Sequence, residues 1–338
     1  MALSVLIANQ KDRHAMSDWT INFKESRQVW DAFASISPQR SIFVESRFLD
    51  SLQADYDLVT CYDKEEIVAG AVLIYAANGE PIEDAFPFTL YQGILLADNT
   101  RKPAHSQITH EFKIVEYFLG QLTEHYKRCC FCHSWRLQDL RPFQWHNYHE
   151  PDKGRFTTDL RYTGILDLKR YGDFEEYLAS VRTVRRQEYR KASQLLTIGF
   201  SDDAALLDAL HAKTFERQNL ERDDRDSALI RSICDRAIAN GYGKMGVASL
   251  DGIPVSAVLF LYDDRAAYYL FGANDPLYRK SSAGSCLLMH MIKDALENGV
   301  QEVDFVGVNS PNRGDFKISF NADLKPYYVT HFDASSAG

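Results

Sequence analysis

The chain has 338 residues, of which 45% are hydrophobic and 25% are charged, and its formal net charge is −9. These proportions are typical of a folded globular protein and exclude a disordered chain, a collagen-like repeat and a disulfide-rich miniprotein. The acidic balance argues against a broad surface that coats nucleic acid, although a local basic patch can still hold a phosphate group. At roughly 100 to 200 residues per domain, the length predicts two domains.

Membrane and secretory signals are weak in this sequence. The longest apolar runs, such as residues 255–262, are far shorter than the roughly 20 residues of a membrane-spanning helix. The apolar stretch near the N-terminus lacks the preceding basic residues of a secretory signal. We therefore expect a cytoplasmic protein with no membrane span and no DNA partner.

The predicted elements follow the same order in both halves of the chain. The first half predicts strands at 56–62 and around 70–75, a further strand, a helix over 106–128 and a strand over 130–136. The second half opens with helices over 173–195, 204–220 and 227–240, then predicts strands at 244–250, 256–261 and 267–272, a helix over 283–298 and a strand over 302–306. Residues 70–75 and 256–261 are also similar to each other. The repeat predicts a duplicated domain, with domains at 1–158 and 159–338.

Cysteine spacing gives little evidence of a metal site. Cys129, Cys130 and Cys132 precede His133, but no second Cys/His pair follows at the spacing that zinc sites usually have. We expect no metal, and we expect these thiols to pack as small hydrophobic groups in a strand. Unpaired thiols also fit a reducing cytoplasm.

A loop of small and basic residues connects the strand at 267–272 to the helix at 283–298. Small residues at a helix start let backbone N–H groups approach an anion, and the helix dipole favours negative charge there. Arg279 and Lys280 add positive charge to this loop. An ordinary polar helix entrance is the alternative, and the sequence alone leaves both open.

A row of arginines recurs on one side of the helix predicted at 173–195. The row consists of Arg182, Arg185, Arg186 and Arg190, at offsets of three or four and then eight residues from the first. Guanidinium groups bind phosphate through paired hydrogen bonds, so the row is a candidate phosphate clamp. A solvated helix face paired with neighbouring glutamates is the alternative.

Charged residues also lie in the strand at 302–306 and in the segment that follows it. Lys317 lies among aromatic residues in a predicted loop with Gly307 and Gly314, where its charge would stabilise an oxyanion that develops during acyl transfer. Asp304 and Asp315 are candidate bases or amine-orienting groups, with loop capping and turn formation as the alternative. No nucleophile constellation of the Ser–His–Asp or Cys–His kind stands out, which favours direct attack by an acceptor amine.

With these landmarks, the chain resembles the FemABX-like branch of the GNAT (Gcn5-related N-acetyltransferase) superfamily. The landmarks are the block at 162–168, the arginine helix at 182–192, the strand at 267–273, the segment 304–307, and Phe316 and Lys317 with Phe320. In the first half, residues 88–93 resemble the aromatic-plus-Gly-Gly segment of that family, with Gln92 in place of one glycine.

The resemblance implies an α+β fold of two tandem GNAT-like domains, each a mixed, mostly antiparallel sheet flanked by helices. It implies an N-acyltransferase that moves an acyl or aminoacyl group onto the amine of a small-molecule or peptide acceptor, with most of the site in the second domain. No permanently bound cofactor is expected. The donor stays open between acyl-CoA and aminoacyl-tRNA, so tRNA stays open as a partner.

The resemblance also implies roles for individual residues. Lys317 is associated with the reaction site, with Phe316 beside it, and the arginine row belongs to a substrate phosphate region. The loop residues Arg279, Ser282 and Gly284 form a degenerate version of the loop that holds coenzyme A pyrophosphate in GNAT acetyltransferases. The chain lacks the long coiled-coil insertion of some cell-wall members, which argues against a peptidoglycan role.

Two other classes of function remain as alternatives. One is a non-catalytic GNAT-like binding module, because duplicated halves often leave one copy inactive. The other is a nucleotide-binding enzyme that uses the loop at 281–285 as a phosphate cradle. The sequence contains neither a P-loop nor a dinucleotide-binding fingerprint, so this class is the less favoured.

Overall fold

The computed structural model describes residues 18–76, 78–99, 103–216 and 223–334. The elements of the N-terminal half are β1 (Trp19–Asn22), α1 (Arg27–Ile36), α2 (Ser46–Leu49), β2 (Tyr56–Asp63), β3 (Glu66–Ile74), β4 (Leu95–Leu96), α3 (Ala104–His125), β5 (Arg128–Cys132) and α4 (Arg141–Trp145).

The elements of the C-terminal half begin with β6 (Thr157–Asp167), α5 (Phe174–Ser180), α6 (Thr183–Ala192), β7 (Leu196–Phe200), α7 (Ala204–Glu216) and α8 (Asp224–Ala239). They continue with β8 (Gly243–Leu250), β9 (Ile253–Tyr262), β10 (Ala266–Asn274), α9 (Ala283–Glu297), β11 (Glu302–Asp304), α10 (Pro311–Ile318) and β12 (Asp323–Asp333).

The hairpin β2–β3 of the N-terminal half and the hairpin β8–β9 of the C-terminal half form for the same local reason. β3 and β9 are nearly continuous runs of buried apolar residues, as expected for strands covered on both faces. Each hairpin turns through a polar residue in the left-handed region, Lys64 (φ 56°) in one half and Asp251 (φ 51°) in the other. The long helices α3 and α9 then bury apolar residues three and four apart, which is the pattern of a helix packed on a sheet.

The strands form two sheets, and the larger one joins both halves of the chain. The four-stranded sheet has the order β1-β2-β3-β4, and the eight-stranded sheet has the order β5-β12-β6-β11-β10-β9-β8-β7. β5 belongs to the N-terminal half, yet it pairs with β12 from Val329↔Cys132 to Asp333↔Arg128. The domain boundary predicted at 158/159 falls inside β6, and that boundary remains a prediction.

The hydrophobic core also crosses between the halves. One buried cluster combines N-terminal side chains such as Trp30 and Phe43 with C-terminal ones such as Leu207 and Ile230. Phe43 contacts the edge of the Tyr268 ring at a centroid distance of 5.2 Å. The two halves therefore pack against each other through a shared apolar interface.

Two sequence-based element predictions were wrong in detail. The single helix predicted over 173–195 is two helices, α5 and α6, because Val181 adopts an extended conformation (ψ 160°) between them. The segment predicted as a loop around Lys317 is helical, because Pro311 starts α10 and Lys317 lies in its last turn. Residues 217–220 of the helix predicted over 204–220 lie outside the described residues.

The described residues can also be examined for membrane-spanning helices and metal-binding groups. No helix among the described residues is long and apolar enough to cross a bilayer. All six cysteines are buried, and Cys129, Cys130 and Cys132 lie in β5. In the described ranges, no group of three or more His, Cys, Asp or Glu side chains is arranged to hold a metal ion.

Candidate active site

The sheet of the C-terminal half opens between β10 and β11. These parallel strands pair only from Ala266↔Glu302 to Tyr268↔Asp304, but β10 continues to Asn274. The pairing of β10 with β9 shifts between Tyr269 and Phe271, which is a β-bulge that bends the strand. Beyond Tyr268, this edge of β10 has no strand partner in the described chain. The two strands therefore separate here, and we refer to the gap between the unpaired end of β10 and the residues that follow β11 as the crevice.

The opposite wall is a strained turn that follows β11. Val306 has φ 52° and Gly307 has φ 83°, so two consecutive residues are left-handed. A β-branched residue such as valine is a genuine outlier in this region, and such strain persists only where surrounding contacts enforce it. Contacts on both sides of the turn provide that enforcement here.

Asp304 holds the turn from one side. This side chain is 2% exposed and is the last residue of β11. One carboxylate oxygen accepts hydrogen bonds from the Thr163 hydroxyl (2.6 Å) and the Val306 amide (2.8 Å), and the other accepts from the Tyr91 hydroxyl (2.8 Å). Thr163 Oγ1 in turn accepts from the Gly307 amide at 3.2 Å.

Lys317 holds the same turn from the other side. Its Nζ donates to the carbonyl oxygens of Phe305 (2.5 Å), Gly307 (3.0 Å) and Val306 (3.4 Å). It also lies 5.3 Å from the centroid of the Tyr269 ring on β10. α10 approaches closely enough for this contact because Gly314 has no side chain, since a Cβ there would lie 2.5 Å from the Val308 carbonyl oxygen. The positive charge is therefore fixed directly behind the wall of the crevice.

Burial shifts the pKa values of Asp304 and Lys317 toward pH 7. Burial raises the pKa of Asp304 to about 6, against the lowering effect of hydrogen bonds from Thr163, the Val306 amide and Tyr91. Burial lowers the pKa of Lys317 to about 8, against the favourable effect of the Asp304 charge. Between these two values, an ionised carboxylate and a protonated amine coexist across the turn.

The basic loop predicted from the sequence lies at the start of α9. Ser282 has φ 58°, so serine occupies a left-handed position that usually favours glycine. A Cβ at Gly284 would lie 2.4 Å from Asn274 Oδ1, so the helix start packs closely on the end of β10. Arg279 and Lys280 are exposed beside it. The loop thus lies at the end of the strand that forms one wall of the crevice.

The residues of the predicted arginine row contact different neighbours. Arg182 pairs with Asp315 (2.7 Å), and both side chains are at least half exposed. Arg186 donates to the Ala179 carbonyl, and Arg190 is exposed. Asp315 therefore lies on the outer face of α10, whereas Asp304 is buried at the turn. Phe316 packs edge-to-face on Phe320 at 5.1 Å.

Sequence analysis did not single out Tyr91 and Thr163 as site residues, and it identified Arg185 only as a member of the arginine row. Tyr91 and Thr163 bind Asp304, and Arg185 donates to both Ser285 of α9 and Ser319 at the end of α10, each at 2.8 Å. Arg185 also lies 4.9 Å from the centre of the Phe316 ring. The inward face of α6, marked by buried Ala192, gives the signal for Arg185 because the two are seven residues apart.

Comparison with known proteins supports the same fold. Residues 179–317 match the family described as the acetyltransferase (GNAT) domain. The crystal structure of FemX is similar over 91% of this chain and 96% of its own, with a TM-score of 0.64 and 14% identity. A tandem GNAT protein from the clavulanic acid biosynthesis pathway is similar over 93% of this chain and 98% of its own (TM-score 0.53, 12% identity).

A third structure extends the comparison. A conserved protein of unknown function from Bacteroides thetaiotaomicron is similar over 93% of this chain and 99% of its own (TM-score 0.56, 12% identity). No curated protein matches the chain by sequence. The chain therefore has a FemX-like double GNAT fold, which confirms the predicted fold class.

Proposed function

We propose that this protein transfers an acyl group from a coenzyme A thioester to the primary amine of a small molecule or peptide. The observation that carries the proposal is the crevice between β10 and β11, where a bulged strand edge faces a charged and strained turn. The acetyltransferase family matched by residues 179–317 supports the same reaction class.

The reaction requires only proximity and charge stabilisation from the protein. The acceptor nitrogen attacks the thioester carbonyl carbon, the C–N bond forms, the C–S bond breaks, and the amine proton ends on the departing thiolate. Positioning the two reactants in one crevice removes most of the entropic cost of their encounter. The fixed charge of Lys317 favours negative charge that develops on the carbonyl oxygen.

Asp304 serves this chemistry better as an anchor than as a base. Its two oxygens already accept three hydrogen bonds from Tyr91, Thr163 and the Val306 amide. It therefore fixes the turn and balances the Lys317 charge. The acceptor amine must then enter as the neutral form or pass its proton to solvent or to the leaving thiolate.

The loop at the start of α9 supports coenzyme A as the donor. A helix N-terminus with small residues and two nearby cationic side chains suits a pyrophosphate. The net charge of −9 disfavours the wide basic face that a tRNA footprint requires. An aminoacyl-tRNA donor is the competing proposal, and the two are separable by experiment.

Reversing the charge of this loop should weaken donor binding. We expect Arg279→Glu combined with Lys280→Glu to raise the Kd for coenzyme A about tenfold or more, because charge-assisted contacts to phosphate are lost. Isothermal titration with coenzyme A alone measures this without knowledge of the acceptor. Lys113→Glu with Lys127→Glu makes the same charge change on exposed residues of the N-terminal half and should leave the Kd unchanged.

An assay of turnover with acetyl-CoA and a panel of amines identifies the donor. Acetyl-CoA is incubated with a panel of amino acids, polyamines, amino sugars and dipeptides, and the released thiol is measured. Amine-dependent thiol release that survives RNase treatment supports the proposal. Activity that requires charged tRNA and disappears with RNase would replace coenzyme A by aminoacyl-tRNA. Tight coenzyme A binding with no donor consumption across the panel would favour a binding module.

The pH dependence of turnover should be bell-shaped. Activity requires Asp304 ionised and Lys317 protonated, so kcat/KM should rise through about pH 6 and fall through about pH 8. The acid limb belongs to a carboxyl whose pKa is raised, and the alkaline limb belongs to an amine whose pKa is lowered. A profile that stays flat from pH 5 to 9 would contradict this assignment.

A further inference from the structure

Tyr91 connects the N-terminal half to the reaction centre of the C-terminal half. Its ring is 2% exposed and contacts Phe43 and Tyr327 edge-on, at centroid distances of 6.1 and 5.7 Å. Its hydroxyl donates to Asp304 across 213 positions of sequence. Both aromatic contacts limit the ring to one orientation, so the hydroxyl is aimed at the carboxylate.

The backbone that carries Tyr91 is strained. Tyr91 has φ 60° and Phe88 has φ 57°, so the loop between β3 and β4 enters the left-handed region twice without glycine. Such conformations cost of order 1 kcal/mol or more each and persist where the surroundings enforce them. Phe88 packs edge-on against Phe271 in the bulge of β10 at 5.0 Å. The loop thus touches both walls of the crevice, through Phe88 on one and Tyr91 on the other.

The N-terminal half has no corresponding crevice among its described residues. β4 pairs with β3 in the small sheet, whereas β5 pairs with β12 in the large sheet. The two strands that correspond to β10 and β11 therefore lie in different sheets. The N-terminal copy contributes this loop to the site of the other copy.

We propose that Tyr91 is a positioning residue that keeps Asp304, and through it the turn at 305–307, in the geometry required for acyl transfer. This inference rests on the proposed function, since it assigns the N-terminal copy a part in that reaction. Tyr91 touches no reacting atom. It acts by donating one hydrogen bond to a carboxylate that in turn holds the Val306 amide.

The groups around Asp304 determine in which direction its pKa moves when the Tyr91 hydroxyl is removed. Lys317 on α10 is the opposing positive charge, Glu302 on β11 is a neighbouring negative charge, and Tyr268 and Tyr327 face it from β10 and β12. The Tyr91 hydroxyl favours the ionised form of Asp304 because it donates to it. Removal of that hydroxyl should therefore raise the pKa of Asp304.

The test compares Tyr91→Phe with Tyr126→Phe. Tyr126 is also buried and also donates to a buried carboxylate, Asp57 at 2.9 Å, but in the N-terminal half. We expect Tyr91→Phe to lower kcat about threefold at pH 6.5, to leave the KM for acetyl-CoA unchanged, and to move the acid limb of the profile about one pH unit higher. Activity should largely recover near pH 7.5. Tyr126→Phe should leave the acid limb unmoved.

A measurement without turnover separates this inference from the proposed function. Protein labelled with 13C at aspartate carboxyl carbons is titrated by NMR, and the Asp304 signal is assigned as the one missing from Asp304→Asn. An upward shift of its titration midpoint in Tyr91→Phe supports the coupling even if acetyl-CoA is not the donor. An unchanged midpoint, or a kcat loss equal at every pH, would overturn the positioning role.

Discussion

Replacing Lys317 by methionine is expected to reduce acyl transfer about 10²- to 10³-fold, because the variant loses both a positive charge beside the crevice and the three hydrogen bonds that hold the turn in place. Methionine keeps the length of the side chain but removes the charge and all three donors. The loss should appear in kcat rather than in the Kd for coenzyme A, because the charge lies behind the turn and away from the basic loop. Steady-state rates and isothermal titration on the same preparation measure the two quantities.

The same variant should also be less stable. Three carbonyl oxygens converge on Nζ, and an unpaired buried polar group costs about 1–3 kcal/mol. Rates must therefore be compared at a temperature where circular dichroism shows both proteins folded. Lys244→Met is the matched control, because Lys244 pairs with Asp294 and lies 4.2 Å from the Phe200 ring centroid. Normal turnover in Lys317→Met would show that the lysine is purely structural.

Replacing Asp304 by asparagine should raise the stability of the protein above pH 6 and at the same time lower its activity. Asparagine can keep acceptors for Thr163 and the Val306 amide, but it removes a buried negative charge. Because burial raises the folded-state pKa of Asp304 above its ordinary value of 3.8, the wild-type protein loses stability as pH rises from about 4 through about 6. The variant should therefore be more stable above pH 6, by up to about 3 kcal/mol, and equal near pH 4.

Urea unfolding at pH 4.5 and 7.5 measures this difference. Turnover should fall at least tenfold, and the alkaline limb should move to lower pH, because the Asp304 charge helps to keep Lys317 protonated. Asp57→Asn removes another buried carboxylate, in the N-terminal half, and should leave the pH limbs unchanged. A variant that is destabilised equally at both pH values would show that hydrogen bonding, and not charge burial, dominates at Asp304.

The sequence predicted the repeated elements because their signals are local. Apolar strands, polar turns and the spacing of helix α9 are all readable within about 15 residues. The sequence predicts Lys317 and Asp304 as site residues, and that role stays a prediction, but their arrangement around one turn was not predictable. Lys317 was expected in a loop facing the reaction, whereas it lies in a helix and binds the back of the turn.

The contacts that were missed connect residues far apart in the chain. The bond from Tyr91 to Asp304 and the unusual pairing of β5 with β12 depend on how the two halves pack. No periodicity encodes such contacts in a single sequence. The arginine row lies within α6 and its N-cap, so the break at Val181 leaves its spacing intact, and its role in phosphate binding stays a prediction.

The pairing of β5 with β12 has a consequence for the order of events during synthesis. His133 and Thr330, which are bonded across this junction, are 197 residues apart, so β5 leaves the ribosome long before its partner strand exists. Until then, the cysteine-rich apolar strand β5 has no strand partner in the described chain, and an open strand edge is a template for pairing with other chains. Contacts this distant in sequence also slow folding. A nascent chain that ends before β12 should therefore be prone to aggregation and a good client for chaperones.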